Sequence, residues 1–322
     1  MDTIIAKLNK LKIAKEAIKT SINKQGGSLT ENAKFSDYPA AINNIQINEN
    51  DNPIQHIIDN QLGDKNPGCE FLFYLYKGSS LDNVINKIDT SKVTTMSSMF
   101  DSCSNLISIP EFNTSSCTNM MGMFSDCRAL TTIPQLDTSH VTDASWMFFQ
   151  CYNLITIPPL DLSSCTSTVR MFESCYALQT VPELNTSKVT NMYQMFYNAR
   201  VKKIMQLDLD SCTSAWGTFD YCINLTYLKL LNIKIDLQIG SNSSGYYITK
   251  DCLIQIISEL IDTGSSKTLT MGTDNKAKIA DTYVKLLEDD GTGKHPFEVC
   301  ASTDEGAMTI EAYCTAKNWQ IA

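Results

Sequence analysis

Residues 89–110 read DTSKVTTMSSMFDSCSNLISIP, and the pattern that starts at Asp89 returns at Asn113, Asp137, Asp161 and Asn185, always 24 residues on. One residue is then lost around Arg200–Val201, and a worn copy starts at Asp208. Written out, the unit is D/N-x-S-x-V/C-T-x-M-x-x-M-F-x-x-C-x-x-L-x-x-I/V-P-x-L. Phe100, Phe124, Phe148, Phe172, Phe196 and Phe219 form one column, and Met99, Met123, Met147, Met171 and Met195 stand before the first five of them. Leu106, Leu130, Leu154, Leu178 and Leu225 form another. Ile109, Ile133, Ile157 and Val181 are each followed by Pro, at 110, 134, 158 and 182. Self-similarity at a fixed period of this length is the signature of a repeat array.

One unit is too short to bury its own apolar stripe. Stacked units bury each stripe against the next, so the core runs on from coil to coil. The expected fold is α/β: a leucine-rich-repeat solenoid of about six coils of 23–24 residues, capped at both ends. L-x-x-I/V predicts a short strand, and parallel strands stack about 4.8 Å apart. The Pro that follows removes a ladder N–H and ends the strand. The D-T-S segment predicts a turn, because Asp, Asn, Ser and Thr hydrogen-bond their own backbone. T-x-M-x-x-M-F has the i, i+3, i+4 spacing of a short helix, with Thr or Ser as its N-cap.

Twelve cysteines raise the question of a disulfide scaffold. Their columns answer it. Cys103, Cys127, Cys151, Cys175 and Cys222 share a column with Ala199, and Cys117, Cys165 and Cys212 alternate with Val93, Val141 and Val189. A position that accepts Val, Cys or Ala wants a small buried hydrophobe, and free Cys behaves as one. Reduced thiols are expected, although neighbours one coil apart are within bridging distance. With no C-x-x-C pair, a zinc site is not expected.

Around the repeats the chain divides into 1–50, a helical attachment or oligomerisation module; 51–88, a linker and N-terminal cap; 89–230, the repeats; and 231–322, degenerate repeats and a C-terminal cap. In the N-terminal cap, residues 69–76 (CEFLFYLY) are a dense apolar strand signal. Residues 248–261 predict an amphipathic helix capped by Thr249, and 267–271 (KTLTM) a strand. A helix near 274–287, a polar loop (EDDGTGKHP) and a final helix and strand over 310–321 complete the cap. In the first segment Ile4, Leu8, Leu11, Ile18 and Ile22 fall at alternating spacings of 4 and 3, with Lys15 in the seam and Gly26-Gly27 as the stop. Residues 35–45 read as a second small helix, and 48–53 as a polar joint. The pair either closes on itself as a hairpin or docks the rest of the chain to a larger assembly.

Composition limits the partners. A net charge of −9 and pI near 4.9 disfavour nucleic acid. No run approaches the ~18 apolar residues of a membrane span, and lysines interrupt the N-terminus too often for a secretory signal. His56, His140 and His295 are scattered, and the stretch around Gly291–Lys294 departs from a phosphate loop at Glu288 and His295. Neither catalytic residues nor a metal site nor a cofactor is expected, so the chain reads as a binding or structural protein rather than an enzyme. Asn113 and Asn185 head sequons that coincide with the turn column of the repeat.

DTSKVTTMSSMFDSCSNLISIP and NTSKVTNMYQMFYNA resemble the BspA-like leucine-rich repeats of bacterial surface adhesins and of proteins from gut bacteria and their phages. The resemblance spans roughly residues 69–322. Residues 14–45 are similar to an N-terminal module of phage tail and fibre proteins. BspA-like adhesins carry a signal peptide and an anchor; neither is expected in this chain, which favours the virion. The resemblance therefore implies a phage virion protein, a tail or fibre component assembled in the host cytoplasm. Its residues 1–50 would join other virion proteins, as a trimer if it follows other fibres. The alternative is a bacterial cell-surface or secreted adhesin.

The expected recognition surface follows the column one residue after the repeat Cys: Ser104, Arg128, Tyr152, Tyr176 and Arg200, flanked by Phe149 and Tyr197. Buried columns are monotonous. This one varies and is rich in Tyr and Arg, the types enriched at binding hot spots. Its ligand would be a glycan or protein of a host surface.

Overall fold

The computed structural model describes residues 89–239, 249–261, 265–271, 273–286 and 297–321, with Cys69, 72–74, Tyr76, 78–81 and Ile85. The stripe Ile4, Leu8, Leu11, Ile18 and Ile22, the helix expected over 35–45, the joint at 48–53 and the polar loop over 288–296 lie outside the described residues.

Each 24-residue unit lies against the next. Parallel bridges link Thr95, Asn119, Asp143, Ser167, Asn191 and Ser214 in succession. Thr118, Thr142, Thr166 and Thr190 send both N–H and hydroxyl to the carbonyl of the Thr one coil earlier, at 2.8–2.9 and 3.1 Å. In the turn column Ser91, Ser115, Ser139 and Ser163 donate their N–H to Asp89, Asn113, Asp137 and Asp161. Inside the stack runs a column of parallel Phe rings, from Phe73 through Phe100, Phe124, Phe148, Phe172 and Phe196 to Phe219. Neighbouring centroids are 5.3–6.1 Å apart. All seven are fully buried, and the apolar core is one cluster from Cys69 to Trp319.

The segment expected as a helix is a run of turns. Met99, Asp101 and Cys103 donate their N–H three residues back, to Met96, Ser98 and Phe100. The alternate residues Met96, Ser98, Phe100 and Ser102 donate across to Asn119, Met121, Met123 and Ser125 of the next coil at 2.7–2.9 Å. Left-handed backbone recurs every fourth residue, at Ser98 and Ser102, Gly122 and Asp126, Trp146 and Gln150. The reason is spacing: packed helices sit about 8–10 Å apart, and these coils are little more than half that distance from one another. An α-helix would also consume every N–H internally, where this run spends half of them on its neighbour. The apolar face survives the change, since Met96, Met99, Phe100 and Cys103 are all fully buried.

The strand expected in every coil appears only late. Thr180–Val181 (β1), Lys203–Asp208 (β2) and Tyr227–Leu231 (β3) form a parallel sheet in that order. In the earlier described coils single bonds, such as Thr131 to Ile107 and Ile155 to Thr131, do the linking. The prolines account for this. Val181 pairs with Ile204, so Met205 stands opposite Pro182, and the full-length strands are the ones whose proline is gone. In the segment 69–76, expected as a strand, the described residues 72–74 instead form a turn: Phe73 donates its N–H to the Met99 carbonyl and its ring stacks on Phe100.

After β3 come Leu237–Ile239 (β4), Lys250–Ser258 (α1), Lys267–Met271 (β5), Thr273–Ile279 (α2), Tyr283–Leu286 (β6), Phe297–Cys300 (β7), Met308–Thr309 (β8), Ile310–Ala316 (α3) and Trp319–Ile321 (β9). Thr249 caps α1 by accepting the Cys252 N–H, and α1 packs on β3. β4, β5 and β9 are parallel, whereas β7, β6 and β8 are antiparallel. The helix expected over 274–287 stops at Ile279. Thr282 turns the chain there, and the next four residues are claimed by pairing on both sides with β7 and β8.

Candidate recognition surface

Four of the seven residues singled out from the sequence stand in one line. The Arg128 guanidinium lies over the Tyr152 ring at 5.5 Å, Tyr152 stacks on Tyr176 at 5.0 Å and 9°, and the Arg200 guanidinium lies over Tyr176 at 5.1 Å. Each tyrosine is thus stacked between two neighbours. The rings are half-buried and both arginines exposed. Stacking of this kind is worth about 0.5–1.5 kcal/mol per contact, so the ladder is ordered before any ligand arrives.

The coil backbone sets the positions. Arg128 and Tyr152 follow Asp126 and Gln150, left-handed residues whose carbonyls accept their N–H groups. The lost residue falls between Arg200 and Val201, after the ladder column, so Arg200 keeps its place over Tyr176. Asp126 holds Arg128 by two bonds of 2.7 and 3.3 Å and pushes its guanidinium pKa up. Arg200 has no carboxylate partner among the described residues. Asn198 donates to the Tyr176 hydroxyl at 3.2 Å. Phe149 and Tyr197 are in the neighbouring column, half-buried, and Tyr197 meets Tyr221 edge-on at 5.2 Å.

A second aromatic group escaped the sequence reading. Arg170 lies over Tyr193 at 5.7 Å, Tyr193 stacks on Trp216 at 5.5 Å, and Trp146 is exposed in the same band. The column of Tyr193 and Trp216 varies as freely as the ladder column does, reading Ser97, Met121, Ser145, Val169, Tyr193 and Trp216. That was the available signal, hidden because the segment had been assigned to a helix.

Beneath the ladder, the thiols of Cys127, Cys151, Cys175 and Cys222 donate to the carbonyls of Phe100, Phe124, Phe148 and Phe196 at 3.0–3.1 Å. All twelve cysteines are free, and burial pushes up the thiols of Cys127, Cys151, Cys165, Cys175 and Cys222, and those of Cys117 and Cys212 to about 11. Among the described residues no three His, Cys, Asp or Glu are grouped to hold a metal. Asp89, Asp137 and Asp161, which line the turns, are held below the usual carboxylate range by the hydroxyls of Ser91, Ser139 and Ser163.

Residues 69–180 and 130–227 match the family model described as "Mycoplasma protein of unknown function, DUF285". The match begins at Cys69, four residues before the first Phe of the column, and does not extend to residues 1–50. No curated protein and no solved structure matches the chain.

Proposed function

We propose that the stack is a leucine-rich-repeat-type solenoid of the BspA-like kind, and that it is a non-enzymatic recognition protein. The ladder Arg128–Tyr152–Tyr176–Arg200 is its binding face, and the ligand is a glycan or protein of a host cell surface. One observation carries the reading: in an array whose buried columns barely vary, the exposed column is stacked, charged and pre-ordered. In this proposal residues 1–50 hold the chain to a phage tail or fibre, as a trimer or docked on another virion protein, and the stack projects from it. The N-terminal resemblance supports that placement. A cell-surface adhesin is the second reading, and the bacterial genus in the matched family's description favours it.

Binding of the labelled full chain to intact bacterial cells tests the face. The double variant Tyr152→Ala, Tyr176→Ala is expected to lose at least tenfold in affinity, about 1.4 kcal/mol or more, with an unchanged circular dichroism spectrum. Unchanged binding by the folded variant would remove the ladder from the function. Antibody labelling of phage particles and of cells then separates the two readings.

A further inference from the structure

The second aromatic group ends in an open face. Tyr193 covers one side of the Trp216 ring at 5.5 Å, and Arg170, tied to Glu173 at 3.3 Å, backs Tyr193 in turn. The bridge ladder ends at Ser214 among the described residues. Where a further coil would continue the stack there is a groove of about 400 Å³, bordered by Trp216. That is within the roughly 300–1,000 Å³ of small-molecule sites. Trp216 is 59% exposed, the most of any large hydrophobic residue in the described chain.

The rim of the groove is polar and of both signs. Ser214, Asp236, Gln238, Lys267, Thr268 and Thr270 surround it. The Asp236 carboxylate is fixed by accepting the Thr268 N–H at 2.7 Å through one oxygen, which leaves the other for a ligand. A cation over Trp216 would meet the Lys267 ammonium, and an anion would meet the Asp236 carboxylate. A neutral polyhydroxyl ring suits both, because each hydroxyl donates to a carboxylate and accepts from an ammonium or amide. The C–H face of such a ring also carries the positive edge that the negative face of an indole attracts.

We infer that this groove is a saccharide site in which a neutral pyranose stacks on the free face of Trp216 and hydrogen-bonds Asp236 and Lys267. It is separate from the Tyr152–Tyr176 ladder and does not depend on that ladder being a recognition face.

Saturation-transfer NMR on the full chain tests the inference. The probes are methyl β-D-glucopyranoside, methyl β-D-galactopyranoside and N-acetyl-D-glucosamine, with choline and phenyl phosphate as charged controls. At least one neutral sugar is expected to receive saturation at its ring C–H groups. Trp216→Ala should weaken its binding on the order of tenfold or more, and Trp216→Phe should retain part of it. Because Trp216 is exposed, the variants should melt like the parent. Transfer to none of the three sugars, stronger binding of either charged control, or undiminished binding by a folded Trp216→Ala protein would each overturn the assignment.

Discussion

Thr114 and Thr138 occupy one column in neighbouring coils, yet their hydroxyls have opposite fates. Thr114 donates to the Asp137 carbonyl at 3.0 Å and accepts the Asp137 N–H at 2.8 Å. Thr138 is equally buried, and its hydroxyl has no partner among the described residues. A buried hydroxyl without a partner is a cost, whereas one with two bonds stabilises. Thr114→Val should therefore destabilise the protein by about 1–2 kcal/mol, while Thr138→Val should be neutral or stabilising by up to about 1 kcal/mol. Leu162 and Leu209 already fill this column elsewhere. Urea midpoints of the two variants check the contrast, and equal losses would refute it. At this scale the sequence was readable for burial and less so for bonding. The Cys column reads as a small hydrophobe, and so it is, but its thiols also donate to Phe carbonyls one coil back, a role that Ala199 cannot take. No column of residue types announces that bond.

Among the elements, apolar spacing named the buried residues and misnamed the backbone. Met96, Met99, Phe100 and Cys103 have a helical period, but a run of turns with left-handed residues every four positions places them on one side just as well. Deciding between the two requires the distance to the next coil, and a single coil's sequence does not contain it. The prolines were legible as strand stops, but not as the reason that whole coils lack a ladder. Met205 tests that reason, since it stands in the proline column of a coil that does have one. Met205→Pro is expected to return β2 to the single-bond linkage of the earlier coils, at a cost of about 1–2 kcal/mol. Hydrogen exchange should then show lost protection within Lys203–Asp208 and retained protection around Phe196. Full protection of β2 in a folded variant would mean that proline does not govern the ladder. In the candidate recognition surface the ladder was legible because variability stood out against constant columns. Tyr193 and Trp216 obey the same rule and were missed through the helix assignment.

Across the molecule, the coils from Asp89 to Asn198 meet through nearly the same set of contacts, so stability should be close to a sum over coils and their interfaces. Removing residues 113–136 joins Phe112 to Asp137 and restores the register of every column. The shortened protein is expected to fold, with a single cooperative transition a few degrees lower. Removing only 113–124 displaces each column by half a coil and should give an unfolded or aggregated product. Calorimetry and circular dichroism distinguish the outcomes, and equal tolerance of both deletions would show that coil register is not what holds the stack.

The Phe rings, centroids 5.3–5.6 Å apart from Phe73 to Phe196, and the tyrosine pair at 5.0 Å keep nearly the same pitch. A stack of constant pitch extends by a fixed step, and growth by one unit moves everything beyond it by that step. Reach then becomes a heritable quantity that duplication or loss of a 24-residue unit can change without redesign of the core. The exposed columns are free to diverge as it does so.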